Sequence, residues 1–254
     1  MATCKNCGRP LILSGEKCIY CGTVPNQVLQ SNIGKQVGGK SRPIVQRRSF
    51  VSRPKSIEEL SIKVTSPCYD DIGIILEHMG IDYTDFDGDY HCDILFLNCG
   101  TSDTIDPEQL KSFVQNGGIL YASDLTSDHV IDAWPDLMSV DNSTDPCTIR
   151  ANVMDADLRQ YIGSYLDVEF DMSVWSKIVD APTGKVLMKS ADEGFPIMME
   201  FSIGQGKVFY TSFHNHAQAD EAEEKLLKLL VVKQVSAATK QGFQQTLTSL
   251  SGSL

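Results

Sequence analysis

Two copies of one short pattern lie ten residues apart near the start of the chain: Cys4-Lys-Asn-Cys7-Gly8 and Cys18-Ile-Tyr-Cys21-Gly22. Two residues between paired cysteines let both sulfurs of a tight turn face one ion. The glycine after each second cysteine permits the positive φ that aims backbone N–H groups at the thiolates. Four thiolates complete a tetrahedral shell and leave no position for water or substrate. The expected cofactor is therefore one structural Zn2+ held by Cys4, Cys7, Cys18 and Cys21. Pro10–Leu13 between the pairs is long enough for a short hairpin strand. So small a segment cannot fold on a hydrophobic core alone, so metal binding would supply its folding free energy. The competing readings are free cysteines, a redox pair, or iron in the same sulfur geometry.

Four more cysteines follow, at 68, 92, 99 and 147. No run approaches the ~20 apolar residues of a membrane span, and no apolar stretch precedes Cys4 to suggest a signal peptide. The expectation is a cytoplasmic chain with no membrane partner, in which these thiols stay reduced. Hydrophobic residues make up 42% and charged residues 22%, enough for a sizeable core.

The net charge of −11 hides a split, with residues 1–55 at +9 and the remainder at −20. Residues 25–58 lack hydrophobic periodicity and carry Lys35, Lys40, Arg42, Arg47, Arg48, Arg53 and Lys55. They read as a basic, flexible linker between a zinc ribbon at 1–24 and a larger domain at 59–236. Residues 35–55 are a candidate electrostatic arm for nucleic acid or an acidic protein face. The alternatives are a solvated tether, or an arm lying on its own acidic domain.

From residue 60 the pattern alternates. Leu60–Thr65, Ile81–Phe86, Asp93–Asn98 and Ile119–Ala122 read as strands; Asp70–Met79, Pro107–Gln115 and Ser127–Trp134 read as helices. Asp93–Asn98 is the continuous apolar run of a strand buried on both faces. Asp106 caps the second helix and Pro107 occupies its first position. The order predicts an α/β fold with a mostly parallel, doubly wound, flavodoxin-like sheet. Further strands are predicted at Thr148–Met154, Asp167–Asp171, Val174–Val179, Lys185–Ser190, Pro196–Ile203 and Gly206–His214. Ala219–Val232 is an amphipathic helix burying Leu226, Leu227, Leu229 and Leu230, with acids early and lysines late as the helix dipole favours. Residues 237–254, rich in Ser, Thr, Gln and Gly, are expected to fray.

Residues 4–22 resemble the zinc ribbons at the N-terminus of many bacterial proteins. The segments Asn116-Gly-Gly-Ile-Leu-Tyr-Ala-Ser-Asp124 and Gly206-Lys-Val-Phe-Tyr-Thr-Ser-Phe-His-Asn215 resemble the class I glutamine amidotransferase-like superfamily, nearest its ThuA-like branch. That resemblance implies a nucleophile turn after the Gly-Gly strand and a catalytic histidine after the late strand. The turn falls here on Ser123, or on its neighbour Asp124, and the histidine on His214. A cysteine is missing from the turn, Tyr121–Leu125 lacks the glycines of a Gly-x-Ser-x-Gly elbow, and His216 stands where the superfamily has a glutamate. Glutaminase chemistry is thus not expected.

Cys99, between a buried strand and Gly100, is a candidate thiol nucleophile with His214 as base, or a packing residue. His214 and His216, with Asp124 and Asp128, form a candidate second metal site or a polar loop. Tyr210, Phe213, Cys68, Cys92 and Cys147 read as packing residues. Three functions follow: a non-catalytic adaptor with protein partners, the setting that resemblance implies being a bacterial stress or defence assembly; a hydrolase using Ser123 or Cys99 with His214; or a nucleic-acid binder acting through the ribbon and linker.

Overall fold

The computed structural model describes residues 55–214 and 221–250, together with two short strands near the N-terminus. The chain divides into two units, Met1–Val51 and Ser52–Leu254. In the first, β1 (Leu13–Ser14) pairs antiparallel with β2 (Lys17–Cys18), Leu13 opposite Cys18. Cys18 falls in β2, while Cys4, Cys7 and Cys21 lie outside the described residues, and with them the four-sulfur site. Residues 25–54 of the linker and His216 also lie outside.

The second unit begins with β3 (Ile62–Val64), α1 (Ile72–His78), β4 (Thr84–Asp85), β5 (Ile94–Leu97), α2 (Pro107–Gln115), β6 (Ile119–Ser123) and α3 (Ser127–Ala133). It continues through β7 (Ser139–Asp141), β8 (Cys147–Val153), α4 (Ala156–Ile162), β9 (Tyr165–Phe170), β10 (Lys177–Asp180), β11 (Lys185–Ser190), β12 (Pro196–Ile203) and β13 (Gly206–Thr211). Two helices, α5 (Glu221–Thr239) and α6 (Phe243–Ser249), end it.

Nine strands form one sheet in the order β4-β3-β5-β6-β13-β12-β11-β8-β9, and β7 and β10 pair separately. The first five are parallel, in the flavodoxin-like order in which the second strand lies outside the first. Beyond β13 every pairing is antiparallel. The expected parallel sheet is thus one half of a mixed sheet.

Successive residues of the parallel strands face opposite cores, as a two-residue period requires. Ile94, Phe96, Ile119, Tyr121 and Phe209 pack with α1, α5 and α6. Leu95, Leu97, Leu120, Ala122, Val208 and Tyr210 pack with α2 and α3. This two-sided burial explains the unbroken apolar run at 94–97. The cap predicted for α2 is present: Asp106 accepts from the backbone N–H groups of Glu108 and Gln109.

Two expectations need correction. The linker ends before Lys55, whose Nζ pairs with Asp93 at 2.6 Å ahead of a 3₁₀ turn at Ile57–Glu59. Residues from 237 do not begin a frayed tail: α5 continues to Thr239, and α6 buries Phe243, Leu247 and Leu250 in the core. Three apolar residues at helical spacing suffice to dock a short polar helix once tertiary contacts supply what propensity does not. Between β8 and β9, α4 interrupts the antiparallel half; Asp155 caps it by accepting from the Leu158 N–H at 3.2 Å.

Candidate functional site

The strand order reverses at β3, which has β4 on one side and β5 on the other. In open α/β sheets this switch point leaves a crevice beyond the carboxyl ends of the strands. The residues that follow β3, β5, β6 and β13 meet there.

Asn98 and Asp70 set the frame. Asn98, fully buried after β5, donates Nδ2–H to the Thr65 carbonyl and accepts at Oδ1 from the Ile72 N–H, at 2.8 and 3.0 Å. It therefore ties β5 to the end of β3 and the start of α1. Asp70 joins β5 to β6: its Oδ1 accepts from the Cys99 N–H at 2.5 Å, and its Oδ2 accepts from the Ser123 hydroxyl at 2.6 Å.

Ser123, the last residue of β6, is buried, and its hydroxyl lies within 3.3 Å of the Leu97 carbonyl as well. The turn position belongs to the next residue. Asp124 has φ +45° at the junction of β6 with the 3₁₀ turn leading into α3, the strained strand-to-helix corner that characterises a nucleophile elbow. A short polar side chain tolerates this left-handed conformation better than most, at a cost on the order of 1 kcal/mol. The Tyr210 hydroxyl holds the corner by donating to the Asp124 carbonyl at 2.7 Å.

The Asp124 side chain is fully buried and has three neighbours. Oδ1 accepts from the Ser176 N–H at 2.8 Å. Oδ2 lies 3.4 Å from His214 Nδ1 and 3.8 Å from Cys99 Sγ. The other ring nitrogen of His214, Nε2, lies 3.1 Å from Oδ1 of Asp171, which follows β9 and is half-exposed. Cys99, Asp124 and His214 form one buried group in which donor atoms of all three lie within 4.8 Å of one another.

The charges in this pocket decide its chemistry. Burial pushes the Cys99 thiol well up, and the charge of Asp124 pushes it the same way, so the sulfur keeps its proton. For His214, burial favours the neutral ring, but the hydrogen bond with Asp124 and the charges of Asp171, Asp124 and Asp70 outweigh it and raise its pKa. Both ring nitrogens of His214 face carboxylates, which occupies the atoms a general base would use.

The structure therefore separates the candidates that the sequence grouped. Cys99 and His214 come together. Ser123 does not join them, because its hydroxyl is turned to Asp70. Asp128 lies on the exposed side of α3, outside the buried group. Among the remaining described thiols Cys68 and Cys147 are exposed and Cys92 is partly buried, while Tyr210 and Phe213 are core residues as expected. Sequence reasoning missed Asp70, Asn98, Asp171 and Ser176. Asp171 and Ser176 come from the antiparallel half, about fifty residues from Asp124, and no local motif marks them.

No family model matches the chain, and no curated protein matches it. Solved structures do. A β-galactosidase from Rahnella sp. R3 aligns with 70% of this chain at 13% identity and a TM-score of 0.48; the chain spans about a third (32%) of that protein. A GMP synthase protein from Thermoplasma acidophilum aligns over 75% of this chain and 98% of its own, at 12% identity and a TM-score of 0.52. A ThuA-like protein from Bacteroides uniformis aligns over 72% of this chain and 95% of its own, at 10% identity and a TM-score of 0.52. At such identities the likeness concerns fold alone: the larger unit has an α/β fold shared with the Thermoplasma acidophilum and Bacteroides uniformis proteins.

Proposed function

We propose that the chain is a non-catalytic adaptor of the cytoplasm. In this reading a zinc ribbon, carried on a basic tether, is joined to an amidotransferase-like domain whose reaction centre has become a structural one. One observation carries it: the elbow bears Asp124 in place of a nucleophile, while the preceding hydroxyl, Ser123, is buried and donates to Asp70 at 2.6 Å. A serine nucleophile needs a base within reach and an oxyanion pocket. Here the Ser123 hydroxyl spends its hydrogen bond on Asp70 within the core, and the nearby histidine, His214, is clasped by Asp124 and Asp171. The thiol of Cys99 is equally buried and stays protonated. The charge split between residues 1–55 and the rest supports binding through the N-terminal unit, because the acidic domain repels nucleic acid and the basic segment attracts acidic surfaces.

The test has two arms. Affinity capture from the producing cells would compare the full chain with one lacking residues 1–51, the boundary between the units. Protein partners lost on truncation support the adaptor. Nuclease-sensitive, strongly salt-dependent capture would replace protein with nucleic acid as the partner. In parallel, hydrolysis of glutamine and of activated esters is measured for the wild type, Ser123→Ala, Cys99→Ser and His214→Gln. Turnover that disappears in His214→Gln and in either of the other two would overturn the non-catalytic reading in favour of a hydrolase.

A further inference from the structure

We propose that Cys99 Sγ, Asp124 Oδ2 and His214 Nδ1 are the ligands of a second, intradomain divalent metal site, with Asp171 orienting the histidine from behind. The ion is of borderline softness, and zinc fits best. The site is separate from the four-cysteine ribbon, and its three protein ligands stand whether or not the adaptor reading holds.

Distances carry the argument first. A charge-assisted hydrogen bond between imidazole and carboxylate closes to about 2.8 Å. His214 Nδ1 and Asp124 Oδ2 stand at 3.4 Å, and the thiol stands 3.8 Å from the same oxygen. These groups converge on one point through contacts longer than a tight charge-assisted hydrogen bond. Ligands at the edges of a tetrahedron around zinc, with bonds of about 2.0 Å to nitrogen and oxygen and about 2.3 Å to sulfur, are separated by about 3.3 Å (N to O) and about 3.5 Å (S to O). Two edges of the triangle thus already have nearly the required lengths. The third lies within 4.8 Å and closes by rotation about side-chain torsions.

The surrounding groups supply the second line. Metal-bound imidazoles usually donate their other N–H to a carboxylate, which fixes the tautomer and the ring plane. Asp171 Oδ1, 3.1 Å from His214 Nε2, occupies that place and leaves Nδ1 directed inward to Asp124. Asp124 is oriented in turn by the Ser176 N–H on its other oxygen at 2.8 Å, leaving Oδ2 for the ion. Each ligand follows a different strand (β5, β6 and β13), so one ion would staple three adjacent carboxyl ends of the sheet. The donor set of one sulfur, one nitrogen and one oxygen suits zinc and disfavours calcium or magnesium, which require oxygen shells. A thiolate and a neutral imidazole are the metal-binding forms of these side chains, so affinity rises with pH.

The experiment uses the full chain, loaded with zinc, desalted, and assayed for metal per protein. The difference between wild type and His214→Gln is the readout, because it cancels whatever the ribbon contributes. The expected result is one equivalent fewer than wild type in His214→Gln, and likewise in Cys99→Ser. Cobalt loading should show the same loss as a missing thiolate-to-metal absorption component. Should either variant fail to fold by circular dichroism, Asp171→Asn decides the matter. That side chain is half-exposed, and its change should weaken zinc binding 10- to 100-fold with the fold retained. Equal metal content in wild type and folded ligand variants, or unchanged affinity in Asp171→Asn, overturns the site.

Discussion

Asp155 is nearly inaccessible to solvent, yet it carries a charge at the junction of α4 with α5. Its Oδ1 accepts from Lys233 Nζ at 2.9 Å and from the Leu158 N–H at 3.2 Å; its Oδ2 accepts from Lys185 Nζ at 2.7 Å. Burial by itself would raise the carboxyl pKa, but the hydrogen bonds from Lys185 and Lys233 overcome it and hold the value at about 2. Against an ordinary aspartate at about 3.9, that depression corresponds to about 2–3 kcal/mol of stability. A lowered folded-state pKa means the contribution is complete above the unfolded value and is lost as pH falls from about 4 through about 2. Replacing Asp155 by alanine does more than cancel this contribution. Lys233, with a side chain 8% exposed, keeps the longer ion pair with Asp157 at 3.4 Å and the face of the Phe243 ring, and α4 loses its cap. Breaking a buried pair in this one-sided way costs about 3–5 kcal/mol. Urea unfolding with chelator present, followed by fluorescence of the buried Trp175, should therefore show Asp155→Ala destabilised by about that amount at pH 7. At pH 3 the gap between variant and wild type should narrow. A loss below about 1 kcal/mol at pH 7, or a gap that does not shrink in acid, would refute the reasoning. The exposed pair Arg150–Asp167 is the control: Asp167→Asn should change stability by no more than about 1 kcal/mol.

Three further outcomes are expected. In the native state, without added metal, an aromatic disulfide reagent should modify Cys68 and Cys147 readily and Cys99 only after unfolding; rapid native modification of Cys99 would place it in an accessible site. Ser123→Ala removes a buried donor from Asp70 and should cost about 1–3 kcal/mol in chemical denaturation, whereas a neutral result would mean that the hydroxyl is not a structural tie. Phe243→Ala should cost about 3 kcal/mol and expose α6 to proteolysis, because the ring packs beside Tyr161 in the core; unchanged stability would return residues from 237 onward to a frayed tail.

The signals legible in the chain were local ones. Asp106 before Pro107 marked the start of α2, Gly117-Gly118 its end, and the apolar run at 94–97 a strand covered on both faces. Each depends on neighbours within one or two turns, so each can be read from spacing and residue type alone. The pairing of Cys99 with His214 was also in reach, since both follow predicted strands of one parallel sheet. Other features had no local mark. Whether Ser123 or Asp124 holds the elbow was decided by backbone geometry, with φ +45° at Asp124 turning Ser123 back toward Asp70. Asp171 reaches His214 and Ser176 reaches Asp124 only because the sheet continues antiparallel beyond β13, and α6 docks only because α5 and Tyr161 stand beside it. Capping and periodicity are short-range energies written into adjacent residues. The meeting of side chains fifty to ninety positions apart is set by strand order and packing, which exist only once the whole sheet has formed.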